Sequence, residues 1–143
     1  MVSAVQTPTS KLNVQSRLVW LGQIVLAGIF GTLGYFNITD PIERAIEGLG
    51  WLSTVPPEVV RIVGVLQIIG AVGVIVPWAL RVIPHLTSLA ALGLAFLEFL
   101  TIEFHLGQGL WGMLPADFAL LSLALIIAWA RGTHAPTGHV LGW

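Results

Sequence analysis

Four stretches of this chain are each long and apolar enough to cross a lipid bilayer as a helix, which takes about 20 residues. They cover residues 18–38, 58–80, 84–106 and 112–130. Charged residues make up only 9% of the chain, whereas soluble domains contain about 25%. The alternating pattern of a β-barrel is missing, and helices satisfy their own backbone groups in lipid. The sequence therefore predicts an all-α integral membrane protein, a four-helix bundle.

The predicted organisation is one transmembrane domain, residues 18–131, between two tails, residues 1–17 and 132–143. The segment between spans one and two has helical signals of its own. Asp40 and Glu43 fit an N-cap and a capping-box acid, and apolar residues follow them at helical spacing. We therefore expect a short amphipathic helix in this segment, lying at the membrane interface.

The basic residues predict the orientation of the spans. With four spans, both termini and the connection between spans two and three lie on one side of the membrane. That side holds four of the six Lys and Arg residues, namely Lys11, Arg17, Arg81 and Arg131. Because cytoplasmic segments are enriched in Lys and Arg, we expect a multi-pass protein of the cytoplasmic (inner) membrane with both termini in the cytoplasm.

Composition excludes several classes of function. The chain has no cysteine, which excludes disulfides, thiolate-bound zinc, iron–sulfur clusters and thiol catalysis. A net charge of -1 offers no basic surface for nucleic acid. Glu98 and His105 are separated by about 10.5 Å of helix rise, which is too far for one small ion to bridge directly. We therefore predict no metal site and no intrinsic cofactor.

Polar residues are concentrated in the outer half of the predicted bundle. On span three, Glu98 and His105 share one helical face, and Gln67 on span two reaches about the depth of Glu98. The candidate ligand-binding residues are those expected to line one polar pocket: Tyr35, Asn37, Arg61, Gln67, Glu98, His105 and Asp117. None of them is assigned a catalytic role.

Most of these residues also have a simpler interpretation. Gln67 fits a hydrogen bond between helices, Arg61 and His105 fit interfacial positions, and Asp117 complements the positive end of the fourth helix. Glu98 is harder to explain, since no Lys or Arg lies at its depth. An ionised side chain at mid-bilayer costs roughly 2.5–3.5 kcal/mol on insertion scales. We therefore expect Glu98 to be neutral at pH 7 and hydrogen-bonded to Gln67 or to a bound ligand.

Two segments of the chain carry a family resemblance. They are RIVGVLQIIGAVGVIVP, residues 61–77, and PHLTSLAALGLAFLEF, residues 84–99, and His105 follows the second. They resemble the DoxX-like family of small bacterial and archaeal membrane proteins, although Gln67 stands where that family usually has glutamate. The resemblance implies a four-helix bundle in the cytoplasmic membrane. Relatives are associated with quinone-linked sulfur oxidation, with oxidative stress and with membrane complexes.

Three functions agree with these residues. The first is a small membrane subunit of a quinone-linked redox system, in which Arg61, Gln67, Glu98 and His105 contact the quinone. The second is a non-catalytic structural or assembly subunit of a larger membrane complex. The third is a small proton-coupled transporter, since carboxylates within membranes are common in proton relays. The expected partners are the lipid bilayer and either other membrane subunits or further copies of the chain.

Overall fold

The computed structural model describes residues 9–39, 54–80, 83 and 85–133. These residues form four helices, α1 (Thr9–Thr39), α2 (Pro57–Ala79), α3 (His85–Gly107) and α4 (Leu114–Thr133). All four are long and apolar enough to cross a membrane, which confirms the predicted all-α membrane bundle. The predicted amphipathic helix lies outside the described residues, as do residues 134–143 of the predicted C-terminal tail.

The helix boundaries follow from proline and from chain continuity. Pro57 and Pro115 lie in the first turns of α2 and α4, where a missing backbone N–H costs little. The first helix begins at Thr9, so it includes part of the segment predicted as a tail. Residues 9–21 contain no Gly and no Pro. The helix of the first span therefore propagates outward from the apolar stretch, because extending a helix is much easier than starting one.

The four helices form a ring. Each helix packs against its neighbours in the chain, and α4 closes the ring against α1 with a smaller contact. Neighbouring helices in such a bundle are antiparallel. We call the end where α1 begins and α4 ends the inner end, and the opposite end, where α3 is followed by α4, the outer end. All polar clusters described below lie at one of these two ends.

An apolar layer fills the middle of the bundle. Leu26, Phe30, Val74 and Leu94 are fully buried there, and Ile127 of α4 is 1% exposed. Large apolar side chains on the opposite faces of the helices remain exposed, as expected for a surface in contact with lipid. The layer separates the polar side chains of the outer end from those of the inner end.

Helices α1 and α2 approach each other closely at Gly34 and Gly64. A Cβ atom at Gly34 would lie 2.7 Å from the carbonyl oxygen of Gly64, and one at Gly64 would lie 2.9 Å from the carbonyl oxygen of Gly34. Both distances are shorter than van der Waals contact. Glycine at these two positions therefore permits the crossing, as small residues do at other helix interfaces in membranes.

Gly64→Ala should destabilise the bundle, because the added methyl group would meet backbone atoms that cannot rotate away. Overpacking of this kind costs about 1–3 kcal/mol. The matched control is Gly93→Ala on α3, where a Cβ atom would meet nothing within 4 Å. Thermal unfolding of both variants in detergent measures the difference. A melting temperature for Gly64→Ala at or above that of Gly93→Ala would contradict a tight crossing.

Candidate functional site

The outer end of α3 carries two ionisable residues on its buried face. Glu98 and His105 are two helical turns apart, so both project into the bundle. They are 4% and 8% exposed, and Ile102 occupies the buried turn between them. The helical period therefore explains why so apolar a segment contains an acid and a histidine: both side chains face protein and not lipid.

A tight turn at residues 108–113 brings the start of α4 against the end of α3. The backbone N–H of Leu110 donates to the carbonyl oxygen of His105 at 2.9 Å. Gly109 has a φ of 71°, a conformation that glycine adopts without a steric penalty. The chain reverses direction here, and the first turn of α4 lies beside the last turn of α3.

This turn places the carboxylate of Asp117 on the imidazole of His105. Oδ2 of Asp117 lies 2.6 Å from Nδ1 of His105, and Asp117 is buried. A carboxylate at Nδ1 holds a proton on that nitrogen, which makes Nε2 the basic nitrogen of the neutral ring. An imidazole oriented in this way can accept a proton from a hydroxyl group within hydrogen-bond reach. The sequence identified both residues as candidates, but it did not predict that they bind each other.

Glu98 lies about 10 Å deeper than His105 along α3. Its carboxyl group makes no hydrogen bond and no ion pair with any residue that the structure describes. Glu98 therefore keeps its hydrogen-bonding capacity for a ligand or for water. We call Glu98, His105 and Asp117 the outer cluster.

Gln67 binds Asn37 of α1. Nδ2 of Asn37 donates to Oε1 of Gln67 at 2.9 Å. The predicted hydrogen bond between Gln67 and Glu98 is absent from the described residues. The close crossing of α1 and α2 gives the physical reason, since a Cβ atom at Gly64 would lie 2.8 Å from Cβ of Asn37. Asn37 is thereby held against α2, where its amide reaches Gln67.

Two further candidates, Tyr35 and Arg61, lie on the surface of the bundle. Arg61 is exposed on α2. Tyr35 is 57% exposed and lies at the outer end of an open groove between α1 and α2, with a volume of about 450 Å³. The rest of the groove is apolar and is lined by Ala27, Gly31, Ile68, Ala71, Val72, Ile75 and Val76. These two residues therefore do not join the buried outer cluster.

A second polar cluster, which the sequence did not predict, lies at the inner end. Arg131 of α4 donates to Oε1 of Gln23 on α1, from Nε at 2.8 Å and also from Nη2. Nε2 of Gln23 donates to the carbonyl oxygen of Val74 at 2.5 Å. The guanidinium carbon lies 4.0 Å from the ring centre of Trp78 and 5.4 Å from that of Trp20, within cation–π range. We call Trp20, Gln23, Trp78 and Arg131 the inner cluster.

The sequence of α4 did contain a signal for the inner cluster. Arg131 follows Ile127 by four residues, so it shares the buried face of that helix, and it is only 4% exposed. The enrichment of Lys and Arg in cytoplasmic segments explains a basic residue at this end of the chain. It does not explain why that residue lies on a buried face. The position of Arg131 on the buried face of α4 is therefore the sequence feature that indicates the inner cluster.

The sequence model of the DoxX-like family matches residues 21–128, about three quarters of the chain, and the chain belongs to this family. The outer cluster lies within the matched residues, whereas Arg131 lies beyond them. No curated protein matches the chain, and no solved structure does. In the part of the chain that the structure describes, no three His, Asp or Glu side chains are grouped so as to hold a metal ion.

Asp117→Ala should lower the stability of the bundle, because it removes the partner of a buried imidazole nitrogen. The expected loss is about 1–3 kcal/mol. Glu103→Ala is the control, since Glu103 is an exposed acid at the same end of α3. Thermal unfolding in detergent compares the two variants. Equal melting temperatures would mean that the 2.6 Å contact contributes nothing to stability.

Glu98→Gln should abolish an infrared band from a protonated carboxyl group at neutral pH. An ionised carboxylate at mid-bilayer costs roughly 2.5–3.5 kcal/mol, and no cation among the described residues pairs with Glu98. Difference spectra between the wild type and Glu98→Gln report the band, and Glu103→Gln should leave it unchanged. If the wild type has no such band, Glu98 is ionised, and a cation or water must reach it.

Proposed function

We propose that this member of the DoxX-like family is a small membrane subunit of a quinone-linked redox system and that its outer cluster binds the quinone head group. One observation carries the proposal. A buried carboxyl group, that of Glu98, has no hydrogen-bond partner among the described residues. It shares the buried face of α3 with an imidazole that is oriented by a carboxylate, about 10 Å away along the helix. The polar head group of a quinone carries an apolar tail. Within the bilayer it therefore needs hydrogen-bond partners of this kind from the protein.

The chemistry of a quinol fits the two halves of the outer cluster. Oxidation of a quinol releases two electrons and two protons from its two hydroxyl groups. His105, with Asp117 on Nδ1, would accept the proton of one hydroxyl. Glu98 would form a hydrogen bond with the other hydroxyl, whose proton would pass to water at the outer end. The rise of about 10 Å along α3 between Glu98 and His105 is comparable with the length of a head group that has an oxygen at each end and a hydrogen bond of about 2.8 Å at each oxygen. The electrons would pass to a partner protein or to a cofactor bound with it.

The open groove between α1 and α2 gives further support. It faces the lipid side of the bundle, and its volume is about 450 Å³. An isoprenoid tail requires only an apolar surface, which the groove offers along several helical turns. Tyr35 at its outer end adds a hydroxyl group.

The proposal extends to the cellular location. A multi-pass protein with four of its six Lys and Arg residues toward the inner end suits the cytoplasmic membrane, with the inner end in the cytoplasm. The outer cluster would then lie in the half of the bilayer away from the cytoplasm. A subunit placed in this way would exchange protons with the outer side of the membrane.

The buried apolar layer favours a redox subunit over a proton-coupled transporter. A relay across the membrane needs polar groups or water along the whole path. Between the depths of Glu98 and Arg131 lie roughly 16 Å of helix rise, and the interior there is formed by fully buried apolar side chains. A bundle of this kind holds a ligand at one end more readily than it conducts a proton from end to end.

Quinone should copurify with the wild type and be lost from Glu98→Gln, because an amide cannot replace the carboxyl group as a proton-exchanging partner of the head group. The matched control is Glu103→Gln, which makes the same change on an exposed face of α3. Each protein is purified in mild detergent, and its lipid extract is analysed chromatographically for ubiquinone and menaquinone. Size-exclusion elution confirms that each variant remains folded.

Equal quinone content in the wild type and Glu98→Gln would contradict the proposal. Migration of a quinone-free wild type in a native gel as part of a larger complex would favour an assembly subunit. Proton flux in liposomes that contain the purified wild type, and its loss in Glu98→Gln, would favour a transporter.

A further inference from the structure

The inner cluster contains a buried cation that pairs with no acidic side chain among the described residues. Arg131 is 4% exposed, and the described residues place no Asp or Glu oxygen within ion-pair distance of its guanidinium group. The sequence extends this observation beyond those residues. None of the seven Asp and Glu residues occurs in residues 1–39, 59–97 or 118–143, so no acidic side chain lies in the stretches of sequence that contain Trp20, Gln23, Trp78 and Arg131.

The guanidinium group retains donors for an external partner. Nε and Nη2 of Arg131 both bind Oε1 of Gln23. Nη1 makes no hydrogen bond with any residue that the structure describes. Trp78 and Trp20 cover the group with ring faces, and the C-terminal end of α4 adds a partial negative charge. Neither provides an oxygen that accepts from Nη1.

A second group without a partner lies at the same depth. The hydroxyl oxygen of Thr87 is fully buried, and it has no hydrogen-bond partner in the described part of the chain. Oγ of the adjacent Ser88 donates to the carbonyl oxygen of Ala128 at 2.7 Å. This contact places the first turn of α3 against the last turns of α4, so Thr87 reaches the level of Arg131.

We propose that the inner cluster binds a phosphate group, supplied either by the headgroup of an anionic phospholipid or by free phosphate. Guanidinium presents parallel N–H donors that match the oxygens of phosphate, and the Thr87 hydroxyl offers one further donor. The two tryptophans suit the boundary between hydrocarbon and headgroups. Gln23 orients the guanidinium through its hydrogen bond to α1, so that the donors of Nη1 are left for the ligand.

The test measures phospholipid retention by native mass spectrometry. The wild type is exchanged into detergent with phosphatidylglycerol, and Arg131→Gln is treated in the same way. Loss of charge-assisted hydrogen bonds should weaken retention by about tenfold or more. Arg17→Gln is the control, because it removes an exposed arginine near the same end of the bundle and should retain the lipid. Equal retention in the wild type and Arg131→Gln would overturn the proposal.

Two further measurements identify the source of the phosphate. Inorganic phosphate that raises the melting temperature of the wild type, but not that of Arg131→Gln, would assign the site to the free ion. Protection by phosphatidylglycerol alone would assign it to lipid. A galactosyl diacylglycerol, which has acyl chains but no phosphate, should be retained poorly, and retention equal to that of phosphatidylglycerol would overturn a phosphate site.

Two milder variants keep the proposal testable if Arg131→Gln does not fold. Arg131→Lys keeps the charge but loses the planar set of donors, so it should fold and still retain less phosphatidylglycerol than the wild type. Thr87→Val replaces the unpartnered hydroxyl with a methyl group of similar size. It should weaken retention if the ligand uses this hydroxyl, while retention unchanged in both variants would contradict the site.

Discussion

The absence of water from the hydrocarbon core makes a polar side chain on a membrane helix costly unless it finds a partner inside the protein. In this bundle the partners lie on different helices. His105 of α3 binds Asp117 of α4, and Gln23 of α1 joins Arg131 of α4 to the backbone of α2. Each such bond exists only if two helices have the correct register and rotation. The same bonds that satisfy polar groups therefore also fix how the helices pack.

Close backbone approach determines which polar groups can meet. The crossing of Gly34 and Gly64 holds Asn37 against Gln67, so the amide of Gln67 is engaged by α1 and not by α3. Glu98 is left without a hydrogen-bond partner among the described residues. A buried carboxyl group without a partner contributes little to stability, and the proposed quinone site depends on this group. The close packing of α1 against α2 therefore engages Gln67, and the carboxyl group of Glu98 on α3 is left available for another partner.

The sequence predicted the spans and the inward direction of Glu98 and His105, because both depend on local composition and on the helical period. It did not predict which polar side chains bind each other across the helix interfaces. The bond between Gln23 and Arg131 joins residues 108 positions apart, and no local pattern reports such a contact. The depth of Gln67 could be estimated from residue counts, but its partner depends on the rotation of α1, which the glycine crossing sets. Arg131 was accounted for by membrane orientation, so its buried face gave no separate prediction.

The separation of charge along the bundle connects the two proposed sites. Glu98 and Asp117 lie in the outer half and Arg131 lies at the inner end, roughly 16 Å from the depth of Glu98. At that distance, with an effective dielectric constant of about 20, two unit charges attract by only about 1 kcal/mol. Burial of a single ion costs several kcal/mol, so neither end can neutralise the other across the apolar layer. In the proposed arrangement each end neutralises its charged group locally, by a proton at Glu98 and by an anion at Arg131.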